Sequence, residues 1–282
     1  MNAPPRLAAV IGWPIHQSLS PLMHNYWMRQ HGIKGCYVPL PIAPENFSRC
    51  IAAMPLMGFA GANVTVPHKE AAFALSATLD EDARITGAVN TLSFADGLVH
   101  GRNTDVSGFY ASFAEQLGTD TFRKKPVVIL GAGGAARAVI VALLRAGVGE
   151  IRLVNRTRSR AESLRSYFAW QSYFETYDWG DWARALRGAK LLVNTTSLGM
   201  TGKAPLEVDL TPLLSDAAVA DIVYNPLETP LLKAARARGA RTMDGLGMLM
   251  HQAVPAFAGW FGVTPSVTPE LRQIMVEALP RG

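Results

Sequence analysis

"PVVILGAGGAARAVIVALLR", residues 126–145, decides the fold. Pro126–Leu130 is a continuous apolar run, which is what a parallel strand buried on both faces requires. The run breaks into Gly131-Ala132-Gly133-Gly134-Ala135-Ala136, a G-x-G-x-x-A pattern, and residues 135–145 then read as a helix. The first glycine permits a tight turn, the second lets a pyrophosphate approach the backbone, and Ala136 is small enough for close helix-to-strand packing. The free N–H groups and dipole at the helix start favour an anion. A glycine-rich loop alone is weak evidence. Strand, loop, helix and a second strand at Glu150–Val154 together predict a doubly wound dinucleotide-binding unit, with Gly131, Ala132, Gly133, Gly134 and Ala135 along the phosphates.

The second strand ends in Asn155-Arg156-Thr157, with Arg160 following. An NAD-preferring fold places a carboxylate here for the ribose 2′-hydroxyl. Guanidinium groups instead clamp a 2′-phosphate, and the missing carboxylate removes a repulsion that would exclude one. The expected cofactor is therefore NADP(H), held by Asn155, Arg156, Thr157 and Arg160. The competing view is that these arginines begin a solvated helix.

Outward from this centre, strand-like runs alternate with helical patterns, which indicates α/β architecture. Strands are predicted at residues 7–11, 36–40 and 62–66, with helices over 21–30, 44–54 and 69–77. Residues 90–94 and 98–101 flank Ala95-Asp96-Gly97 and read as a hairpin. A helix over 107–117 leads to the Pro126 strand, and further strands follow at 191–195 and 219–223, with a helix over 231–237. The aromatic stretch from Phe168-Ala169-Trp170 to Trp182 reads as an edge strand plus cover. Two last helices, 246–260 and 269–278, lack a partner strand and are expected to pack back on the first unit. The expected organisation is a mixed-sheet substrate domain over residues 1–106, a Rossmann-type NADP domain over 107–244, and returning helices over 245–282.

Composition excludes several classes. The chain has 282 residues, 49 % hydrophobic and 17 % charged, the balance of an ordinary globular protein rather than a disordered one. The start Met1-Asn2-Ala3-Pro4-Pro5 has no basic region followed by an apolar core, and no run has the length of a membrane span, so a cytoplasmic protein without membrane attachment is expected. A net charge of +5 comes from short, dispersed basic groups, which argues against nucleic acid. Cys36 and Cys50 form no Cys-x-x-Cys arrangement and are expected to be small buried apolar residues. No histidine spacing suggests a metal.

In "GANVTVPHKE", residues 61–70, a strand period points Asn63 and Thr65 to one face while Val64 and Val66 pack the other. Pro67 stops the ladder and leaves Lys69 near the strand end, where open α/β sheets collect ligands. A second polar stretch, Gly101-Arg102-Asn103-Thr104-Asp105, lies where the first domain hands over to the second. A lysine paired with a carboxylate can deliver a proton to a developing alkoxide. Spacing alone does not bring Lys69 and Asp105 together, and by pattern each also reads as a solvated or structural charge.

Nine strings occur in order: "SLSP" (18–21), "NVTVPHK" (63–69), "GAVNT" (87–91), "NTD" (103–105), "GAGGAARA" (131–138), "NRT" (155–157), "NTTSLGM" (194–200), "YNPLETPLL" (224–232) and "DGLGML" (244–249). Together they resemble shikimate dehydrogenase from about residue 7 to the C-terminal helix. The resemblance implies that Lys69 and Asp105 are the catalytic pair. It implies that Ser18 and Ser20 bind the substrate carboxylate with Tyr224 beside them, and that Thr65, Asn90, Asp105 and Gln252 hold the ring hydroxyls and carbonyl. Thr195, Thr196, Ser197 and Leu198 would line the nicotinamide side of a cofactor cleft, with Ile222, Gly245 and Met248 beyond. The expected activity is NADPH-dependent reduction of 3-dehydroshikimate to shikimate, without a metal, by a monomer or homodimer. A quinate-type paralogue and a catalytically silent NADP-binding regulatory module are the alternatives. Two departures touch the substrate side: Gln17 stands where relatives carry histidine before the first serine, and Arg102 and Val106 flank the aspartate motif.

Overall fold

In the computed structural model residues 6–168 and 173–280 are described. Residues up to Asp105 together with Leu249–Ala278 form one unit, and Val106–Met248 the body of a second.

The first unit runs β1 (Arg6–Gly12), α1 (Ser20–Gln30), β2 (Gly35–Pro41), α2 (Phe47–Ala53), β3 (Phe59–Val64), α3 (Lys69–Leu75), β4 (Thr78–Leu79), α4 (Glu81–Thr86), β5 (Thr91–Ala95) and β6 (Leu98–Arg102). Among the described residues its sheet has the order β2-β1-β3-β5-β6-β4. β1 pairs in parallel with β2 and β3, while β3, β5 and β6 are antiparallel neighbours. The β5–β6 turn sits on Asp96 and Gly97, both with positive φ (52° and 71°), the geometry a two-residue hairpin turn needs. The short β4 and α4 were not among the expected elements. Their signals are in the chain nonetheless: Asp80 caps α4 by accepting from the Ala83 N–H at 2.8 Å, and Gly87 ends it in a left-handed conformation.

Three expectations for this unit need correction. The third strand ends at Val64, so Val66 does not pack against a sheet face and is 70 % exposed. The ladder stops because Pro67 has no N–H and because His68 N–H turns back to the Thr65 carbonyl at 2.9 Å. The helix expected over 44–54 is a 3₁₀ turn at Pro44–Asn46 followed by α2. Cys36 is exposed rather than buried, because β2 is an edge strand paired only to β1; Cys50 is half-buried.

The second unit runs α5 (Asp105–Leu117), β7 (Pro126–Leu130), α6 (Gly134–Arg145), β8 (Glu150–Val154), α7 (Arg158–Phe168), β9 (Tyr173–Tyr177), α8 (Trp182–Leu186), β10 (Leu191–Asn194), β11 (Ala218–Asp221), α9 (Pro230–Ala237) and β12 (Arg241–Met243). Every pairing is parallel, in the order β12-β11-β10-β7-β8-β9. Counted from β7, this is the doubly wound order of dinucleotide-binding sheets, with the switch point between β7 and β10. Val127, Val128, Ile129 and Leu130 are all fully buried, as a strand covered on both faces demands. β9 is the edge strand, and Trp179 and Trp182 meet edge to face at 4.6 Å beside the core; Ala169 and Trp170 of the aromatic stretch lie outside the described residues.

α10 (Gly245–Phe261) and α11 (Pro269–Glu277) close the chain, and from Leu249 onward they belong to the first unit. The Trp260 indole N–H donates to the Leu92 carbonyl at 2.9 Å, and the Arg6 guanidinium donates to the Trp260 carbonyl at 3.0 Å. Gly61 makes this approach possible, since a Cβ there would lie 2.0 Å from the indole nitrogen.

His24 on α1 is buried among these aromatic rings. It stacks on Tyr37 at 4.0 Å and meets Trp27 edge-on at 5.7 Å, and Phe257 and Trp260 of α10 close the box. Neither ring nitrogen has a hydrogen-bond partner among the described residues, and burial lowers its pKa from 6.5 to about 3. The unfolded chain therefore binds a proton that the folded chain refuses as pH falls below 6.5. Stability is lost from there toward pH 3, by about 2 kcal/mol at pH 5. His24→Phe is expected to abolish this share. Denaturant midpoints of parent and variant should diverge between pH 7.5 and pH 5, and parallel pH dependence would refute it.

Candidate active site

Lys69 opens α3 and Asp105 opens α5, and the fold brings these residues together: the Lys69 ammonium donates to Asp105 Oδ2. The aspartate is the more buried of the two, with side chains 9 % and 19 % exposed. Asn90, just before β5, organises the group. Its amide nitrogen donates to Asp105 Oδ1 at 2.9 Å, Thr104 Oγ1 at 3.0 Å and Gln252 Oε1 at 3.2 Å. Its Oδ1 accepts from the Thr104 N–H at 2.8 Å. Gln252 is held in turn by donating to the Leu249 carbonyl at 2.9 Å. Each oxygen of the carboxylate thus has a fixed donor, and the ammonium has a fixed direction.

Ser18 and Ser20 meet at the start of α1, where the Ser20 N–H donates to Ser18 Oγ at 3.3 Å. A buried polar chain connects this point to the lysine. The Tyr37 hydroxyl, beside Ser20, donates to Asn63 Oδ1 at 2.7 Å; Asn63 then donates to Thr91 Oγ1 at 3.1 Å and to the Asn90 carbonyl at 3.3 Å. Burial pushes the Tyr37 phenol well above its usual pKa, so it stays a donor. Sequence reasoning named neither Tyr37 nor Asn63 as site residues. Asn63 had a signal, since it shares a strand face with Thr65; Tyr37 had none. Thr65 is half-buried just past β3. His68 is buried, bonded to the Ile42 carbonyl at 2.7 Å and stacked on Phe47 at 4.6 Å.

Tyr224, Ile222, Gly245 and Met248 all lie in the second unit. Gly131 has φ +101°, and a Cβ on it would meet Thr195 Oγ1 at 2.9 Å; Thr195 itself donates to the Leu130 carbonyl at 2.6 Å. The glycine loop and the Thr195 loop therefore lie against each other at the switch point. Gly245 packs against the Ile222 carbonyl, from which a Cβ on it would lie only 2.2 Å away.

These residues fit an NADP molecule on structural grounds. A Cβ at Gly133 or Gly134 would meet nothing, so an open backbone cradle faces outward at the N-terminus of α6. At the end of β8 Asn155 turns its amide onto the Thr157 carbonyl at 2.7 Å. Arg158 is engaged by Asp178 and Glu162, whereas Arg156 and Arg160 are exposed and carry no ion pair among the described residues. Two uncommitted guanidiniums remain where a 2′-phosphate binds in this fold.

Family models match the chain twice, as a shikimate dehydrogenase substrate binding domain over residues 10–92 and as a shikimate / quinate 5-dehydrogenase over residues 112–199. A shikimate dehydrogenase (NADP(+)) of Paramagnetospirillum magneticum is 50 % identical over 98 % of this chain and 100 % of its own. This chain belongs to the shikimate dehydrogenase family. Among solved structures, a shikimate dehydrogenase in complex with NADP+ superposes with a TM-score of 0.90 at 34 % identity, covering 100 % of this chain and 98 % of its own. The Thermus thermophilus shikimate 5-dehydrogenase in complex with NADP(H) and shikimate gives 0.86 at 34 % identity, covering 98 % and 100 %. Among the described residues of this family member no cluster of His, Cys, Asp or Glu could hold a metal ion, and no helix is long and apolar enough to cross a membrane.

Proposed function

We propose that this protein reduces 3-dehydroshikimate to shikimate with NADPH, reversibly, as a step of aromatic amino-acid biosynthesis. The observation that carries the proposal is the Lys69–Asp105 pair, locked by Asn90 and Gln252 into one hydrogen-bonded group. NADPH, when bound, supplies the hydride for the carbonyl carbon. Lys69 delivers the proton to the carbonyl oxygen as it becomes an alkoxide, and takes it back in the oxidative direction. Asp105 aims the ammonium and accepts from a substrate hydroxyl. Thr65, Asn90 and Gln252 bond the remaining ring hydroxyls, and Ser18, Ser20 and Tyr224 bind the carboxylate. A buried site of neutral hydrogen-bonding groups rejects analogues that leave its members unpaired. The protein acts in the cytoplasm as a monomer or homodimer.

A second substrate has specific support: the matching family model covers quinate as well as shikimate enzymes, and Gln17 replaces the histidine beside the carboxylate-binding serines. Initial rates with shikimate and quinate, each with NADP+ and NAD+, decide between them. The expected result is the highest kcat/KM with shikimate and NADP+. A higher value with quinate would reassign the substrate, and no turnover of either would leave only an NADP-binding module.

A further inference from the structure

Asp221, the last residue of β11, is fully buried, and no role above uses it. Three donors from separate segments converge on its carboxylate. Oδ1 accepts from the Asn194 amide at 2.9 Å and from the Val223 N–H at 3.0 Å, and Oδ2 accepts from the Thr229 hydroxyl at 2.8 Å. A carboxylate accepts at both oxygens and donates nothing, so it satisfies all three at once. An asparagine would turn an N–H toward the threonine hydroxyl.

Each donor holds a piece of the rim at the end of this sheet. Asn194 ends β10, and its Oδ1 accepts from both the N–H and the hydroxyl of Thr196, at 3.0 and 2.7 Å. Its amide nitrogen also reaches the Leu198 carbonyl at 3.2 Å, and Thr196 Oγ1 accepts from the Leu198 N–H at 3.1 Å. Residues 195–198 are thereby tied into a single loop conformation. The Val223 bond anchors the turn that carries Ile222 and Tyr224. Thr229 caps α9 by accepting from the Leu232 N–H at 3.3 Å.

We propose that Asp221 is a positioning residue for the nicotinamide end of the cofactor site, acting through Asn194 on residues 195–198 and through Val223 on the Ile222–Tyr224 turn. It rests on the NADP reading above, which assigns these two segments to the nicotinamide side. The groups bonded to the carboxylate from β10, from the chain beyond β11 and from α9 are all neutral. Just past the neighbouring strand β12 the charged residue is Asp244, whose carboxylate accepts from the Leu246 N–H. Burial raises the Asp221 pKa to about 6 against the lowering pull of its three donors, so the anchor weakens in mild acid.

The test compares NADP+ with 2′-phospho-ADP-ribose, which is the same molecule without the nicotinamide, by calorimetry on the full chain. Asp221→Ala is expected to weaken NADP+ about tenfold or more, since it leaves buried donors unpaired, while 2′-phospho-ADP-ribose binds as before. Equal weakening of both ligands, or of neither, overturns the proposal. Asp221→Asn keeps the shape and decides the matter if the alanine variant does not fold. In the parent the NADP+ to 2′-phospho-ADP-ribose affinity ratio should fall as pH drops through about 6, and in Asp221→Asn it should stay flat. The ratio cancels the titration of the 2′-phosphate that both ligands share. A flat parent ratio, or the same slope in both proteins, overturns the proposal. A parent that binds neither ligand overturns the NADP reading itself, a result distinct from a parent that binds both.

Discussion

Lys69→Ala lowers kcat for shikimate oxidation by about 10²- to 10⁴-fold, the range that a positioned acid–base group contributes. The change takes the donor from Asp105 Oδ2 and so costs some stability, but Oδ1 stays held by the Asn90 amide at 2.9 Å and keeps the aspartate in place; a thermal melt of the variant separates this cost from the loss of rate. kcat and kcat/KM are expected to fall together, because the lost interaction forms in the transition state and not in substrate binding. The Kd for NADP+ stays at the parental value, since the Gly131 loop and the Arg156 turn belong to the second unit. Steady-state rates with NADP+ binding measured on the same preparations check both halves. A variant that keeps the parental kcat removes Lys69 from the proton step.

Arg156→Ala lowers the preference for NADP+ over NAD+. Arg158 is already paired with Asp178 at 2.8 Å, whereas Arg156 and Arg160 are exposed and carry no ion pair among the described residues. Charge-assisted bonds of about 1.5 to 3 kcal/mol each from two guanidiniums, weakened by solvent screening at these exposed positions, give the parent roughly a tenfold to thousandfold preference for NADP+ over NAD+. Losing one of two comparable bonds costs NADP+ about half of this preference on a logarithmic scale, roughly threefold to thirtyfold, and leaves NAD+, which has only a hydroxyl there, nearly unchanged. The measurement is kcat/KM with both cofactors for the parent, Arg156→Ala and Arg160→Ala, at fixed moderate salt because screening blunts the difference. Equal use of NAD+ and NADP+ by the parent would show that these arginines only decorate α7, and it would favour a quinate-type substrate.

Local pattern carried most of the architecture. The apolar run Pro126–Leu130, the glycine loop and the following helix stand as expected, because a strand buried on both faces and an amphipathic helix each leave a period in the chain. The hairpin was legible from Asp96-Gly97, where turn chemistry is local. α4 carried equally local signals in Asp80 and Gly87, yet six residues are too few for a helical period to stand out. Val66 misled because an alternating pattern continues in the chain after the hydrogen-bonded ladder has ended.

The sequence by itself determined the two kinds of sheet, the dinucleotide loop and the absence of a carboxylate at the end of β8. Its motifs also named Lys69 and Asp105 together. Tertiary structure alone decided that Lys69 meets Asp105 across 36 positions and that Gln252 reaches Asn90 across 162. It also decided that Tyr37 and Asn63 link Ser20 to that group, that His24 is buried without a partner, and that Asp221 gathers donors from three segments. The physical reason is range. Periodicity and turn chemistry act over a few neighbouring residues and are written where they act. A hydrogen bond between distant residues is set by how sheets and helices bring their ends together, and no local pattern in either residue's neighbourhood records its partner.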